Sequence, residues 1–570
     1  MTEAPKRPAT MTLAAHFPDR TEAEWRELAA AVVNKGKPED QSLSTDEAIA
    51  SLRTTLEGGL DVEPLYTRPA EAAPLGVPGA MPFTRGRALR DPDVPWDVRQ
   101  LHDDPDAATT RAAVLADLEN GATSVWLHVG TDGIAAAEVA EALADVQLDL
   151  APVVVSSWDS QPAAADALYA VLSASPAASG NLGHDPLGAA ARTGGEPDLA
   201  PLAHAVRQLD GTGEIRAITV DTRVYFDAGA TTVDELGFAL ATGVAYLRAL
   251  TDAGVDLADA WRHVEFRVSA TADQFLTAAA LRALRRCWAR IGEAVGIPEA
   301  DRGARIHVVT ATRMFTRDDA WTNILRSTLA TFGASLGGAD AITVLPFDTV
   351  AGLPTPFSRR VARNTQVILA EESNVARVTD PAGGAWAVEA LTTELAEAAW
   401  GTFQEVERSG GMVKSLANGF VAQRISGARS ERDASIARRE TPIIGVSMFP
   451  LAGEQPLERR ARQALEVGPN ALVPHRDSSI FEALRDRAAA FTKHHGEPPR
   501  VTVPTLEVPR AADLRIAAAN LLAAGGMEAV ESGGAVDLAA TDKGYAALAP
   551  DTDVVAVLSD LLDELGAPTA

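Results

Sequence analysis

At 570 residues, 46% hydrophobic and 23% charged, the chain is long enough for roughly three or four domains, or for one barrel with additions, and can bury a sizeable core. Its 78 acidic against 51 basic residues leave a formal charge of −27, which repels phosphate backbones and anionic lipid and argues against nucleic-acid or membrane-surface partners. The single cysteine, Cys287, excludes an internal disulfide and a thiolate metal cluster. Set between Arg286 and Trp288 in a helical pattern, it reads as a packed thiol.

Residues 1–75 read as an extended arm with one helix and no apolar run of signal-peptide type. No window of the chain approaches the roughly 20 apolar residues of a membrane helix, so a cytoplasmic protein is expected. Thr21 and Glu24 form a capping box, Trp25, Leu28, Ala29, Val32 and Val33 make a stripe at helical spacing, and Lys35-Gly36 supply a C-terminal stop. That stripe needs burial, either on this chain or on a partner.

From about residue 120 short β-rich runs alternate with Ala- and Leu-rich helical patterns. The runs are Thr123–Val129, Pro152–Ser156, Ala217–Asp221, Val264–Val268, Ile306–Thr310 and Ile342–Leu345, with weaker ones at Gly180–Leu182 and Val375–Val378. A helix over Thr271–Val295, capped by Thr271 with Gln274, presents Leu276, Ala280, Leu284, Cys287, Trp288, Ile291 and Val295 on one face. About eight such units fit a (β/α)8 barrel over residues 76–411; a doubly wound open sheet fits the periodicity too. A helix carrying Leu395, Ala399, Phe403 and Val406 stops at Gly410-Gly411. Residues 412–498 read as an Arg-rich helical linker. Residues 499–570 read as a second, small α/β unit, with a strand at Val501–Leu506 and helices at Ala511–Ala524 and Val554–Leu565.

Barrel enzymes work at the C-terminal ends of their strands. Those positions hold His128, Ser156, Ser157, His184, Asp185, Asp221, Arg223, Tyr225, Thr310, Thr312 and Arg313. No two histidines stand at metal-ligand spacing, and H-E-x-x-H, G-x-S-x-G, P-loop and G-x-G-x-x-G signatures are absent. His184-Asp185 reads as a surface histidine beside a loop-capping Asp more readily than as an acid–base pair. Asp221 and Arg223 read first as an ion pair and second as an anion site.

Three stretches carry a family resemblance. They are Pro82-Phe83-Thr84-Arg85-Gly86 with Pro95-Trp96-Asp97-Val98-Arg99-Gln100, the loop Gly180-Asn181-Leu182-Gly183-His184-Asp185-Pro186-Leu187-Gly188, and RNTQVILAEESNVARVTDPAGGAWAVEALTTELAEAAWGTFQEVERSGGM from Arg363 to Met412. With the N-terminal arm, the chain resembles the small (beta) subunits of adenosylcobalamin-dependent methylmalonyl-CoA mutases over most of residues 16–530. The resemblance implies a (β/α)8 barrel followed by a flavodoxin-like cobalamin domain. In active subunits of that family CoA threads the barrel, and a radical from Co–C homolysis interconverts methylmalonyl-CoA and succinyl-CoA.

Against the active-subunit pattern this chain departs where chemistry is done. The Tyr after Arg-Gln falls on Leu101, the strand-end Tyr-His pair on Arg223-Val224, and the loop Gln on Gly183. Val224 has no donor for a thioester carbonyl and Leu101 no hydroxyl. Arg99 keeps an arginine that contacts CoA in active subunits, beside Asp97, whose charge opposes a phosphate; a structural salt bridge explains it as well. The cobalt-ligand histidine falls on Ala511, and the unit from 499 is short for a flavodoxin-like domain. The resemblance thus implies a non-catalytic small subunit binding no cobalamin or metal itself, partnered in a heterodimer by a large catalytic subunit that carries adenosylcobalamin. The alternatives are a barrel enzyme with other chemistry around Asp221 and Arg223, and an acyl-CoA-binding or chaperone-like protein.

Overall fold

The computed structural model describes residue 18 and residues 20–69, 75–451 and 453–568, so the first part of the expected arm lies outside the described residues. The described residues fall into two compact units, divided between Arg68 and Pro69. In the first, the expected box caps helix Glu22–Val33: the Glu24 amide donates to Thr21 Oγ1 (3.2 Å) and the Thr21 amide to Glu24 Oε2 (2.8 Å). Along its stripe Trp25 and Ala29 are half-buried, whereas Leu28 and Val32 stand exposed. A second boxed helix, Thr45–Ala50, and a hairpin of β1 (Thr54–Leu56) and β2 (Leu60–Val62) complete the unit.

The second unit is built on eight parallel strands: β3 (Asp97–His102), β4 (Ser124–His128), β5 (Val153–Ser156), β6 (Ser179–His184), β7 (Glu214–Asp221), β8 (Val264–Ala270), β9 (Ile306–Thr310) and β10 (Ala341–Thr343). Each pairs with its chain neighbours and β10 returns to β3, closing the (β/α)8 barrel and removing the open-sheet alternative. Two details correct the expectation. Val375–Val378 is no strand; Val375–Arg377 forms a 3₁₀ turn, and Asp97–His102 is the barrel's first strand. Its polar sequence, DVRQLH, hides it, because two of its inward side chains, Asp97 and Arg99, are charged.

Helix Gln274–Val295 buries the expected face through Ile291, while Val295 at its end is exposed. Its cap is Asp273, which accepts from the Leu276 amide (3.0 Å), and not Thr271. Cys287 is buried, as a packed thiol should be. Helix Trp386–Arg408 buries Leu395, Ala399 and Val406, half-buries Phe403, and is followed by Gly410 and Gly411 at positive φ.

The linker departs most from expectation. Helices Met412–Ala417, Phe420–Ala437 and Ser479–His495 are present, but 454–468 forms neither helix nor strand although LERRARQALEV is made largely of helix formers. Tertiary ion pairs override that propensity. Arg459 pairs with Asp348 (2.5 Å), Arg460 with Asp104 and Arg462 with Asp103, carboxylates on different barrel loops that a helix could not reach together.

Beyond it, β11 (Arg500–Thr502) lies between β12 (Glu528–Val530) and β13 (Val536–Asp537) in a parallel sheet. Its core joins Val501, Leu521, Leu522, Leu558 and Leu562 to Phe481 and Leu484 of helix Ser479–His495. The expected helices appear as Ala511–Ala524 and Val554–Glu564.

Candidate functional site

Alternation along the strands decides what enters the barrel. On β8, Phe266 turns outward onto Trp288 (4.8 Å between ring centroids), so Glu265 and Arg267 turn to the axis. Lower in the barrel, Arg99 Nη1 meets Glu265 (3.1 Å), while its Nε donates to Ser124 Oγ (2.8 Å) and Nη2 reaches Asp97 (3.5 Å). Above this layer lies Trp126. Its ring lies against the guanidiniums of Arg267 (4.2 Å to the centroid) and Arg223 (4.7 Å), with His307 edge-on at 5.4 Å. Trp126 Nε1 donates to Ser156 Oγ (2.8 Å), and the indole packs on Val154, Val309, Phe315 and Leu345, with Leu101 at the rim. Arg99, Trp126, Glu265, Arg267 and His307 are all buried, so the axis is a filled core, as in an ordinary barrel of this kind.

The charges in this core are compensated. Asp221 accepts from Arg223 Nε (2.8 Å) and Nη2 (2.6 Å) and from Arg267 Nη1 (3.1 Å). Burial opposes its ionisation, but the two guanidiniums outweigh burial and hold the carboxyl below its usual range. Burial draws Arg267 down to about 10, leaving it charged at neutral pH. His307 is pushed well down by burial and then by the arginines around it. It is therefore neutral, with Nδ1 accepting from Arg267 Nε (3.0 Å) and Nε2 donating to Thr343 Oγ1 (2.8 Å).

Over the C-terminal mouth runs a strap, residues 454–475, that forms neither helix nor strand. Besides its arginine pairs, its amides at Gly468, Leu472 and His475 donate to the carbonyls of Thr193 (2.6 Å), Ala191 (2.8 Å) and Asp227 (2.7 Å). Between strap and Trp126 remains a cleft of about 710 Å³, whose lining includes Leu101, His128, Asp132, Arg192, Arg223 and Arg462.

The structure distributes the expected site residues unevenly. His128 lines the cleft, with Nδ1 3.0 Å from Ser156 Oγ and Nε2 2.8 Å from Asp132. This Ser–His–Asp row has the order of a nucleophilic relay, but Ser156 is buried and does not line the cleft. Ser157 Oγ accepts from the Ser160 amide (2.9 Å), and Thr310 Oγ1 from the Leu345 amide (2.9 Å). Thr312 also reaches the cleft, whereas Arg313 turns to the Ala230 carbonyl (2.8 Å) and the Phe226 ring (3.9 Å).

Asp185 is a helix cap, accepting from the Gly188 amide (3.3 Å) and from Tyr246 Oη (2.5 Å). His184 is buried rather than on the surface; burial lowers it to about 4, because β6 ends inside the helical layer. Arg223 begins the short helix Arg223–Asp227, which leaves Val224 and Tyr225 buried. At Gly183, φ is +71° and an added Cβ would lie 1.9 Å from the Val155 carbonyl oxygen, so no side chain fits there. Ala511 opens helix Ala511–Ala524, after Arg510 at φ +60°.

Trp126, Glu265, Arg267 and His307 are the residues that sequence reasoning missed. The available signal was two-residue alternation: VEFRVSA and IHVVT place a polar residue at every inward position up to Arg267 and His307, flanked by apolar ones.

Comparison with known proteins agrees with this architecture. A methylmalonyl-CoA mutase profile matches residues 209–490. The methylmalonyl-CoA mutase small subunit of Streptomyces virginiae is 45% identical over 546 residues, spanning 94% of this chain and 88% of that protein. That of Propionibacterium freudenreichii subsp. shermanii is 45% identical over 494 residues, spanning 85% and 77%. The probable methylmalonyl-CoA mutase small subunit of Mycobacterium tuberculosis (strain H37Rv) is 39% identical over 554 residues, spanning 93% and 88%. With identity of this level along nearly the whole barrel and its appended units, the chain belongs to the methylmalonyl-CoA mutase family, among its small subunits.

Proposed function

We propose that this chain is the non-catalytic, cytoplasmic subunit of a heterodimeric methylmalonyl-CoA mutase, an isomerase that interconverts methylmalonyl-CoA and succinyl-CoA. The observation that carries the reading is the filled barrel axis. A thioester carrier that threads a barrel needs a channel, and here Trp126, Arg267 and the Arg99–Glu265 pair occupy that space. On this reading Arg99 is structural, its charge spent on Glu265 rather than on a CoA phosphate. Asp221 and Arg223 neutralise each other in the same way, which speaks against separate acid–base chemistry around them.

Adenosylcobalamin does not fit the residues from 499 onward. That stretch contains neither histidine nor cysteine, the ligand position is Ala511, and the sheet has three strands. We therefore assign the cofactor to the larger partner and read residues 499–570 as a degenerate cobalamin-type layer kept for packing. The exposed Leu28 and Val32 of the N-terminal helix suit burial on that partner. Among the described residues no helix is long and apolar enough to cross a membrane.

The test is reconstitution. The purified chain, given adenosylcobalamin and methylmalonyl-CoA, should form no succinyl-CoA and keep no corrinoid absorbance after gel filtration. Adding the large subunit should give an active one-to-one complex. Turnover by this chain alone would sink the proposal.

A further inference from the structure

Helix Asn323–Leu336, between β9 and β10, is patterned inside out. Its buried residues are small or polar: Asn323, Ser327, Ala330, Thr331, Gly333, Ala334 and Ser335. The reason is close approach to helix Gln274–Val295; a Cβ at Gly333 would sit 2.8 Å from the Gln274 carbonyl oxygen. Two of its leucines face outward instead, in line with Trp321 of the turn that precedes it. Trp321, Leu325 and Leu329, spaced four apart, are 51%, 66% and 43% exposed. Phe357 of helix Pro356–Val367 continues the face at 46% exposure, its ring 6.3 Å from that of Trp321. A free surface helix shows the opposite arrangement.

Charge is sparse on this face. Arg326 is turned aside to the Ile444 carbonyl (2.6 Å) and Asn323 Oδ1 (2.7 Å), and the Arg360 guanidinium lies 5.4 Å from the Phe357 ring. Charge depletion around exposed aromatic and Leu side chains marks the centre of an obligate interface. Two occupants are conceivable, a second copy or a different chain. Self-association would bring two surfaces of net charge −27 together, and like charge disfavours that contact. The relatives, moreover, are named small subunits, a name that presupposes a larger companion.

We propose that the Trp321–Leu325–Leu329–Phe357 face seats the larger mutase subunit. This rests on the small-subunit reading and adds to it the surface used. The experiment co-expresses the full chain with the large subunit of the same organism and measures assembly by sedimentation and native mass. Leu325→Glu with Leu329→Glu should weaken assembly at least about 100-fold, since charge at an interface centre is desolvated without a partner. Ile516→Glu, at an exposed apolar residue on helix Ala511–Ala524, should leave it within about twofold. Circular dichroism checks that both variants fold. Should the double variant misfold, hydrogen exchange on the wild-type chain decides, with slowed exchange over 321–336 expected on complex formation.

Assembly of the double variant at wild-type strength, or unchanged exchange over 321–336, overturns the surface while leaving the small-subunit reading intact. A wild-type homodimer broken by the same substitutions overturns the choice of occupant. Failure of the wild-type chains to assemble at all overturns both readings.

Discussion

Replacing Asp221 with Asn tests whether charge holds the barrel axis shut. The carboxylate is buried and is shared by Arg223 and Arg267, which lie on the Trp126 ring at 4.7 and 4.2 Å. An amide keeps the shape but leaves two desolvated guanidiniums without their counter-charge. Breaking a buried pair from one side costs about 3–5 kcal/mol, and because Asn still accepts a hydrogen bond the lower end is expected, about 3 kcal/mol. Against a folding stability of about 5–15 kcal/mol that is a large fraction. Urea unfolding of the purified full chain, followed by tryptophan fluorescence and far-ultraviolet circular dichroism together, measures it. The pH dependence has a definite sign. Asp221 has a lowered folded-state pKa, so its stabilisation is present above about pH 4 and is lost as pH falls through that lowered value. The gap between wild type and variant should therefore persist from about pH 5 to 8 and close only in strong acid. Adding Arg223→Leu to Asp221→Asn removes one uncompensated charge and should restore part of the loss. A single-variant loss below about 1 kcal/mol, or a double variant no better than the single, would refute the charge argument.

Other outcomes follow from the same geometry. Gly183→Ala should destabilise by about 2–5 kcal/mol in urea melts, from the left-handed backbone and the Val155 oxygen together; a neutral effect would mean β6 relaxes freely. Cys287, buried and with its thiol pushed up to about 12 by burial, should resist an aromatic disulfide reagent at pH 8 until the chain unfolds; rapid native labelling would contradict that packing. Arg223→Tyr with Val224→His should create no mutase activity even with cofactor supplied, because a working site needs its whole set held to about 0.5 Å. Measurable succinyl-CoA from that variant would show that little more than the two side chains had been lost.

The barrel was legible because most of its strands are short apolar runs between amphipathic helices, and because three local motifs carry the family's pattern. Strand β3 was not, since DVRQLH puts Asp97, Arg99 and Leu101 toward the axis and reads as polar loop. The filled axis was legible in part. Alternation in VEFRVSA marks Glu265 and Arg267 as inward-facing, but nothing local says that Trp126, across the barrel on β4, lies against Arg267 and Arg223. Sequence suggested the Asp221–Arg223 pair and the Asp185 cap, both formed by residues close in the chain. It missed the strap, because its ion pairs to Asp103, Asp104 and Asp348 join residues more than a hundred positions apart and defeat a strong local helix propensity. The inside-out helix was written plainly as Trp321, Leu325 and Leu329. Periodicity alone finds an apolar stripe without telling which way it faces.

The most direct measurement of the proposed division of labour between the two subunits is ligand stoichiometry on the assembled complex. Purified complex of known mass would be titrated with adenosylcobalamin by absorbance and with an acyl-CoA by calorimetry. One cobalamin and one acyl-CoA bound per heterodimer is the expected result on the proposed reading, because this chain's axis is filled by Trp126 and its residues 499–570 include neither histidine nor cysteine. Two of either per heterodimer would contradict it.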